Sequence, residues 1–453
     1  MAIKEYNLTE GKISSVLMKF VMPFIVMNLL HVAYTLTDLF VIGHFTKDSA
    51  AISGVTIGAA IIILFMFFVF GFAAGLTVLV GRAFGAKNYE EMDRLVFTSM
   101  TMFLMVGVAI MLILLIFAPL FTKLMYTPAD AVDETITYIR INALGMLFVM
   151  AFNCIGGVLR GVGNSTTPLL YIGISSVCNI VLDIIFVCYW DMSVAGVSYA
   201  TVIAQFVAYA VAVYLLRSRG FRYKFYLKDF RFAPKTAKAI WDISIPISLQ
   251  NILASISFLI LFALANDMGI IESAAFGINN RLYSLTLLPA YSFATALTAI
   301  AAQTMGAGMP ERAKKALLLA SFYAFVPCCV FFFFELFTPH LVMRIFTADE
   351  AIIESGSLLL FGACWEIFLI SFLFCLNDFF NGCGHTRFTF VVNVLASFPV
   401  RLSIAYFLVF QMEWGILSLG LASSITTALV ILVYLWYLRS NRWQKFTLPE
   451  STA

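Results

Sequence analysis

Asn28–Gly43, NLLHVAYTLTDLFVIG, places a carboxylate, Asp38, inside a segment that is otherwise apolar enough to cross a bilayer. A charge near the bilayer centre is disfavoured by roughly 2.5 to 3.5 kcal/mol on insertion scales, so an ionisable residue there predicts a functional site. Asn28, His31, Thr35 and Asp38 follow at spacings of 3, 4 and 3 residues and therefore share one helical face. We expect that face to contact protein or water, and not lipid.

The composition of the whole chain predicts a polytopic membrane protein. Of its 453 residues, 62% are hydrophobic and 12% are charged, which is about half the charge that a soluble surface needs. Windows of about 20 apolar residues, the length that crosses the hydrocarbon core, recur along the chain. We predict twelve transmembrane spans, numbered 1 to 12: Ser14–His44, Ala51–Val80, Leu95–Phe121, Val132–Leu159, Leu169–Trp190, Val194–Leu216, Ala239–Ala265, Ser273–Gln303, Ala313–Met343, Ile352–Phe380, Phe388–Phe410 and Gly415–Leu438.

The distribution of positive charge predicts the topology. Of the 28 Lys and Arg residues, 22 fall in the loops and termini on one side of these spans and 4 on the other side. Positive residues accumulate on the cytoplasmic side, so both termini are expected there, in the inner (plasma) membrane of the cell. The basic run Arg217–Lys238 is interpreted as an anchor at the anionic leaflet, and no nucleic-acid partner is expected.

The second half of the chain repeats the first at an offset of about 222 residues. Pro23 and Asn28 match Pro246 and Asn251, and RGVGNST after span 4 matches NGCGHTR after span 10. Six spans separate the copies, and an even number gives both copies the same orientation. The predicted fold is therefore all-α, with two six-helix bundles related by a pseudo-two-fold axis along the membrane normal. The predicted domains are residues 1–216, a basic cytoplasmic linker at 217–238, and residues 239–453.

A second polar face lies on span 5, in SSVCNIVLDIIF, where Asn179 and Asp183 are one helical turn apart. Counted from the outer ends of their spans, Asp38 and Asp183 both lie roughly 8 to 10 Å below the outer boundary. Thr201 on span 6 has a comparable depth. Two carboxylates, an amide and a hydroxyl at one level suit Na+ or a shared proton. The alternative is that both acids only hydrogen-bond to neighbouring helices.

The second half does not repeat this polar set. Asp38, Asn179 and Asp183 correspond to positions near Leu261, Val400 and Ile404. A cation site is therefore expected in the N-terminal bundle alone.

The second half has charges of its own. Glu366 on span 10 and Arg401 on span 11 both fall near the midplane. A salt bridge between them and a substrate-facing role are both open interpretations. The high aromatic content of 15% would also suit a cavity for bulky cations.

Several enzyme and cofactor motifs are absent. The sequence holds no GxxxxGK[ST], HExxH or GxSxG motif, and its eight cysteines show no metal-ligand spacing. We expect neither an enzyme nor a resident cofactor or metal, beyond a coupling ion that is H+ or Na+.

These motifs together resemble the multidrug and toxic compound extrusion (MATE) transporters. The resemblance is carried by Pro23, TDLFVIGH with Asp38, GRAFGAKN after span 2, LRGVGNSTTP after span 4 and NIVLD in span 5. It spans essentially the whole chain and is greatest for the bacterial and archaeal branch related to the DNA-damage-inducible F protein.

The resemblance implies specific roles for residues of the first half. Asp38, Asn179 and Asp183 would form the cation site, and helix 1 would bend at Pro23. The residues that would complete the polar network are Tyr34, Tyr138, Asn153 and Thr201, with His31 as a further supporting group. In the NorM-like branch, acids on spans 7 and 10 serve the second bundle. Span 7 here has Gln250 and Asn251 instead, so the resemblance carries no cation site to that bundle.

The resulting expectation is a monomeric antiporter, embedded in membrane lipid. It would export cationic or amphipathic compounds in exchange for H+, or Na+, by alternating access. A flippase or exporter of lipid-linked saccharides or lipids on the same fold is the alternative. A channel is disfavoured, because the polar faces belong to one bundle and do not surround a central axis.

Overall fold

The computed structural model describes residues 7–45, 49–218, 221–223, 225–226 and 230–445, and within them leaves out the side chains of residues 31, 34–36 and 38–49. This part of the chain is helical. The helices are α1 (Ile13–Phe45), α2 (Ser49–Gly85), α3 (Tyr89–Leu124), α4 (Val132–Gly161), α5 (Thr166–Asp183), α6 (Ser193–Ser218), α7 (Pro234–Met268), α8 (Ile270–Gly306), α9 (Pro310–Phe337), α10 (Pro339–Arg344), α11 (Glu350–Gly382), α12 (Thr386–Leu395), α13 (Arg401–Phe410) and α14 (Leu417–Arg439). Among the described residues, twelve helical stretches are long and apolar enough to cross a membrane, which confirms the predicted number.

Several helices extend beyond the predicted span ends, because polar residues continue them past the apolar window. The helix α3 begins at Tyr89, about two turns before the predicted Leu95. Asn88 caps it: the Asn88 side chain accepts a hydrogen bond from the Glu91 amide (3.1 Å) and donates one to the Glu91 carboxylate (3.1 Å). This reciprocal pair satisfies a backbone donor that the helix start leaves open.

The predicted span 9 is divided in two. The helix α9 ends at Phe337, and the short α10 begins at Pro339. Proline has no amide hydrogen and clashes with the preceding turn, so a helix that reaches it stops or restarts there.

Two spans contain a wider, π-helical turn next to an ionisable residue. The helix α5 continues as a π-helical turn over Ile184–Tyr189, directly after Asp183. A second π-helical turn, Ala396–Val400, joins α12 to α13 and ends directly before Arg401. Such turns re-aim side chains and are frequent at functional sites.

The chain forms two compact units. Of the described residues, the first unit holds Asn7, Leu8 and the residues of Met22–Ser248, and the second holds Thr9–Val21 together with the chain from Leu249 onward. The unit boundaries thus fall within α1, beside Pro23, and within α7, two residues after Pro246. The predicted domain limits at residues 216 and 239 remain a prediction.

In the first unit, α4 is the central helix and packs against α2, α3 and α6. Glycines allow this close packing. A β-carbon at Gly161 would lie 2.8 Å from Val80, and one at Gly157 would lie 2.9 Å from the Ala73 carbonyl oxygen, both on α2. Small residues at helix crossings bring backbones together where lipid supplies no hydrophobic drive.

In the second unit α11 has the same role and packs against α8, α9 and α14. A β-carbon at Gly382 would lie 2.8 Å from Ala301 on α8. The contact of Gly382 with Ala301 lies one repeat offset after the contact of Gly161 with Val80 in the sequence. The sequence repeat is therefore also a repeat of helix contacts.

Candidate functional site

The polar residues of α5 lie on its buried face. Asn179 is 3% exposed and Asp183 is 0% exposed, whereas Val177 and Val181 are 61% and 49% exposed. The apolar side of α5 is therefore the accessible one, as expected for a helix that faces lipid with hydrocarbon and protein with polar groups.

Two contacts fix the register of α6 against α5. The Ser175 hydroxyl donates to the Ala204 carbonyl oxygen (2.6 Å), and Gly196 packs against Phe186. Asn179 lies one turn beyond Ser175 on α5, and Thr201 lies one turn before Ala204 on α6. Since consecutive spans run antiparallel, the structure brings Asn179 and Thr201 to one level.

The helix α4 contributes two residues at nearly the same depth. Gly145 packs against Val202 and Gln205 of α6. Asn142, one turn before Gly145, is therefore level with Thr201, and Tyr138 lies one turn further out, at the depth of Asp183. Tyr138 is 8% exposed and Asn142 is 2% exposed.

Sequence reasoning missed Asn142 and Gln205. The Asn142 amide donates to the Tyr138 carbonyl oxygen (3.0 Å). Each of the two residues lies four positions after a predicted site residue, Tyr138 or Thr201. The spacing of one helical turn is thus the sequence signal that could have identified both residues.

Asn153 lies apart from this group. It follows Asn142 by eleven residues on α4, which is about 16 Å along the helix axis. Its amide donates to the Val149 carbonyl oxygen one turn earlier (2.9 Å). The structure thus brings Tyr138 and Thr201 to the depth of Asn179 and Asp183, but not Asn153.

The predicted residues of α1 can be placed only in part. The side chains of His31, Tyr34 and Asp38 lie outside the described residues, so the pairing of Asp38 with Asp183 remains a prediction. The backbone of α1 is helical from Ile13 to Phe45 and continues through Pro23. The bend at Pro23 also remains a prediction.

Several buried oxygen and nitrogen atoms of α5 and α6 have no hydrogen-bond partner among the described residues. Both atoms of the Asn179 amide are buried and form no hydrogen bond with any described residue. The same is true of the Thr201 hydroxyl and the Gln205 carbonyl oxygen. A buried amide without partners is costly, by about 1 to 3 kcal/mol, so this cluster is suited to water or a small cation with oxygen ligands.

The second unit has a different polar centre, around Glu366 on α11. Glu366 is 3% exposed, and its Oε1 accepts hydrogen bonds from the Tyr283 hydroxyl (3.1 Å) and the Thr427 hydroxyl (3.3 Å). Within the described chain, no ion pair joins Glu366 to Arg401. The Arg401 guanidinium instead lies over the ring of Phe258, 4.7 Å from its centroid. The direct salt bridge, one of the two interpretations of these charges, is absent.

A connected polar network surrounds Asn377 in the second unit. The Asn377 side-chain oxygen accepts from the Gln250 amide (3.0 Å), the Asn393 amide (2.9 Å) and the Tyr434 hydroxyl (3.0 Å). The Asn377 amide donates to Asp378 (3.2 Å). These bonds join α7, α11, α12 and α14 and give this network a structural role.

Twelve membrane-spanning helices in repeated halves, with buried polar groups inside the spans, define a polytopic transporter. The MatE family model matches residues 23–185 and again residues 246–407, one match to each half. The chain belongs to this family, the MATE transporters.

Curated relatives and solved structures agree with this assignment. The chain is 25% identical over 426 residues to the Probable multidrug resistance protein YoeA of Bacillus subtilis, covering 92% of each chain. It is 24% identical over 453 residues to the Probable multidrug resistance protein YpnP of the same organism, covering 98% of this chain and 99% of the relative. A crystal structure of MATE in complex with MaD3S superposes with a TM-score of 0.90 at 22% identity, covering 98% of this chain and 100% of that one. That likeness shows the fold.

Proposed function

We propose that this chain is a multidrug antiporter, which exports cationic or amphipathic compounds in exchange for protons. The observation that supports it best is that Asn179, Asp183 and Thr201 bring polar groups to similar depths on α5 and α6 in a chain of the MATE family. Relatives named as probable multidrug resistance proteins, which match over nearly their full length, support a role in multidrug export.

The coupling step is assigned to the first unit. Asp183 is fully buried, and a buried carboxyl is neutral or paired in most environments because charge is poorly solvated there. A proton that enters from outside would neutralise Asp183 or Asp38 and change the hydrogen bonding of Asn179. In our proposal α1 then bends at Pro23, and substrate is released.

Na+ is the alternative coupling ion. The amide oxygen of Asn179, the hydroxyl of Thr201 and a carboxylate are all hard oxygen ligands of the kind that Na+ accepts. The oxygen set therefore suits either ion.

The proposed setting follows from charge distribution. Both termini would be cytoplasmic, in the inner or plasma membrane, with the chain acting as a monomer in contact with lipid. The proposed partners are small amphipathic or cationic molecules.

A flippase for lipids or lipid-linked saccharides is the second candidate, on the same fold. It predicts scrambling of labelled lipid in vesicles without an imposed gradient, which an antiporter does not predict.

Reconstituted vesicles test the proposal. Purified protein is incorporated into liposomes, and efflux of rhodamine 6G is followed under a pH gradient and, separately, under a Na+ gradient. We expect efflux driven by the pH gradient, and its loss in Asp183→Asn and Asp38→Asn with the variants still present in the membrane. Asp191→Asn is the matched control, because Asp191 is an exposed carboxylate just beyond α5, whose positive φ of 50° asparagine also tolerates.

Each outcome decides between the candidates. Efflux that is driven by the Na+ gradient and not by the pH gradient would show that Na+ is the coupling ion. Full efflux by Asp183→Asn would contradict the assignment of the site, and lipid scrambling without dye efflux would support the flippase.

A further inference from the structure

One face of α6 is exposed and apolar over most of its length and becomes polar at its last turn. Ile203, Phe206 and Tyr214 are 38%, 48% and 68% exposed, at spacings that place them on one side of the helix. An exposed apolar face on a membrane-spanning helix contacts lipid. Arg217, also exposed, continues this face at the end of α6. The face therefore passes from the region of acyl chains to the region of headgroups.

A groove lies along this last part of α6. It has a volume of about 430 Å³ and is lined by Ala210, Val213, Tyr214, Arg217 and Ser218. That volume is within the range of ligand pockets, about 300 to 1,000 Å³. The groove has an apolar end, which small side chains leave open, and a polar end with a charge and a hydroxyl.

Contacts with the linker hold Arg217 at the polar end of the groove. Its guanidinium carbon lies 4.7 Å from the centroid of the Tyr226 ring, and its Nη2 donates to the Phe225 carbonyl oxygen (3.4 Å). The Ser218 hydroxyl donates to the Leu215 carbonyl oxygen (3.4 Å), a long bond from which a hydroxyl can turn to a closer acceptor. A guanidinium fork matches the oxygens of a phosphate, so the arginine and the hydroxyl form a suitable donor set for that group.

The charge beside the groove also favours an anion. The linker that begins at Arg217 holds eight Lys and Arg residues and one acidic residue over positions 217–238. Basic clusters directly beside a membrane span attract anionic lipids, and each Lys or Arg adds to the attraction.

The second half of the chain repeats the arginine but not the small residues of the groove. Arg439, exposed at the end of α14, is the repeat counterpart of Arg217. Leu432 stands at the position that Ala210 has in the first half. The two halves therefore provide a matched pair of arginines, only one of which lies beside an open groove of small residues.

We propose that this groove binds one anionic phospholipid, on the side of the membrane that holds the linker. Arg217 and Ser218 donate to the phosphate oxygens, and an acyl chain lies along Ala210 and continues beside Phe206. Tyr214 lies at the level of the headgroup, where amphipathic rings are favoured. The site goes beyond the proposed export function, because its ligand is a lipid that stays bound and not a compound that is moved.

Native mass spectrometry of the purified full-length protein measures this binding directly, because each bound lipid adds its own mass. The protein in detergent is titrated with palmitoyl-oleoyl phosphatidylglycerol and, separately, with palmitoyl-oleoyl phosphatidylcholine. The two lipids share their acyl chains and their phosphate, and they differ in net charge. We expect the first phosphatidylglycerol to bind at least about fivefold more tightly than phosphatidylcholine, the effect of one basic residue on an anionic lipid.

Substitutions then locate the bound lipid. Arg217→Gln should weaken binding of the first phosphatidylglycerol about fivefold. Arg439→Gln, the same change at the repeat counterpart, should alter it by less than about twofold. Ala210→Leu introduces the residue of the second half at an exposed position. It should weaken phosphatidylglycerol binding by a similar factor to Arg217→Gln, because it fills the groove and leaves the contacts of Arg217 in place.

Each outcome supports or overturns the site. Equal weakening by Arg217→Gln and Arg439→Gln would overturn it, because the lipid would then be held by the general positive charge alone. Unchanged binding in Ala210→Leu would overturn it too, as would equal affinity of wild-type protein for the two lipids. Displacement of phosphatidylglycerol by an excess of glycerol 1-phosphate would show a site for soluble phosphates and exclude the lipid as its ligand.

Discussion

The ring of Tyr138 on α4 lies against Gly58 on α2 so closely that a β-carbon at position 58 would stand 2.5 Å from the Tyr138 Cδ1. This contact holds Tyr138 at the depth of Asp183. Glycine is thus required at position 58 by packing in the candidate site.

Gly58→Ala is expected to displace the Tyr138 ring. Overpacking of this kind costs about 1 to 3 kcal/mol, so the thermal midpoint of the detergent-solubilised protein should fall, and gradient-driven dye efflux should fall with it. Gly277→Ala is the control. It is the repeat counterpart of Gly54, a β-carbon there meets nothing within 4 Å, and we expect no loss of stability.

A double substitution tests the contact itself. Tyr138→Ala removes the ring, so Gly58→Ala should cost little stability in that background. Additive losses would show that Gly58 is needed for another reason.

Asn179→Leu should separate function from stability. Its amide forms no hydrogen bond with a described residue, so an apolar side chain of similar size should leave the thermal midpoint unchanged or raise it. Proton-driven efflux should be lost, because the amide is part of the proposed coupling cluster.

Asn377→Leu is the contrasting variant. Its side-chain oxygen accepts three hydrogen bonds, and its removal leaves buried donors unsatisfied, at roughly 3 kcal/mol or more. The thermal midpoint should fall clearly. A loss of stability in Asn179→Leu as large as in Asn377→Leu would show that the Asn179 amide has a structural partner.

The contacts of His385 predict that the attachment of the segment around Trp443 depends on pH. Its Nε2 lies 3.1 Å from the Trp443 carbonyl oxygen and its Nδ1 lies 3.1 Å from the Tyr437 hydroxyl, an arrangement in which a neutral ring donates at Nε2 and accepts at Nδ1. Burial lowers the pKa of His385, and the hydrogen bond to Trp443 opposes this only in part.

The sign of the pH effect follows from the lowered pKa. His385 binds a proton more readily in the unfolded chain than in the folded one. Its contribution to the stability of the folded state is therefore complete above the unfolded pKa of about 6.5 and is lost as the pH falls below that pKa. Trp443, which is fully buried, should then detach more often at pH 5.5 than at pH 7.5.

Limited trypsin cleavage around Arg439 and Arg442 measures this attachment. The cleavage rate of wild-type protein relative to His385→Gln, determined at each pH, cancels the pH profile of the protease. We expect the ratio to rise as the pH falls. A constant ratio would show that His385 does not titrate in this range.

The contacts of Asp93 predict a second attachment, which holds Arg222 and Tyr223 of the linker to α3. Arg222 donates to both oxygens of Asp93 (3.1 and 2.8 Å), and the Tyr223 hydroxyl donates to Oδ1 (2.5 Å). The bond to Asp93 raises the pKa of Arg222. Asp93→Asn should weaken the bidentate pair and speed cleavage of the linker by trypsin, with only a small loss of global stability, about 1 kcal/mol or less, since the pair is partly exposed. Unchanged cleavage would show that the linker is held by other contacts, such as Phe97 against Tyr223.

Composition and periodicity predicted the architecture, because a bilayer strongly restricts the backbone structure of a long apolar segment. Without water in the hydrocarbon core, every spanning backbone must satisfy its own hydrogen bonds, and long apolar windows become helices. Twelve spans and the internal repeat were therefore readable from the chain. The break at Pro339 and the π-helical turns beside Asp183 and Arg401 were not, because they depend on local backbone geometry that hydropathy does not report.

The sequence by itself determined which residues are polar within the spans, and at what depth along each helix. Asn179, Asp183 and Thr201 were identified in this way, because rise per residue converts position into depth. Only the tertiary structure decided how these groups align from one helix to the next. It brought Asn142 to the level of Thr201, and it left Asn153 about 16 Å from Asn142 along α4. It also held Arg401 on a ring of Phe258 instead of on Glu366, because helix register and packing, which depend on contacts between distant parts of the chain, set the direction of each side chain.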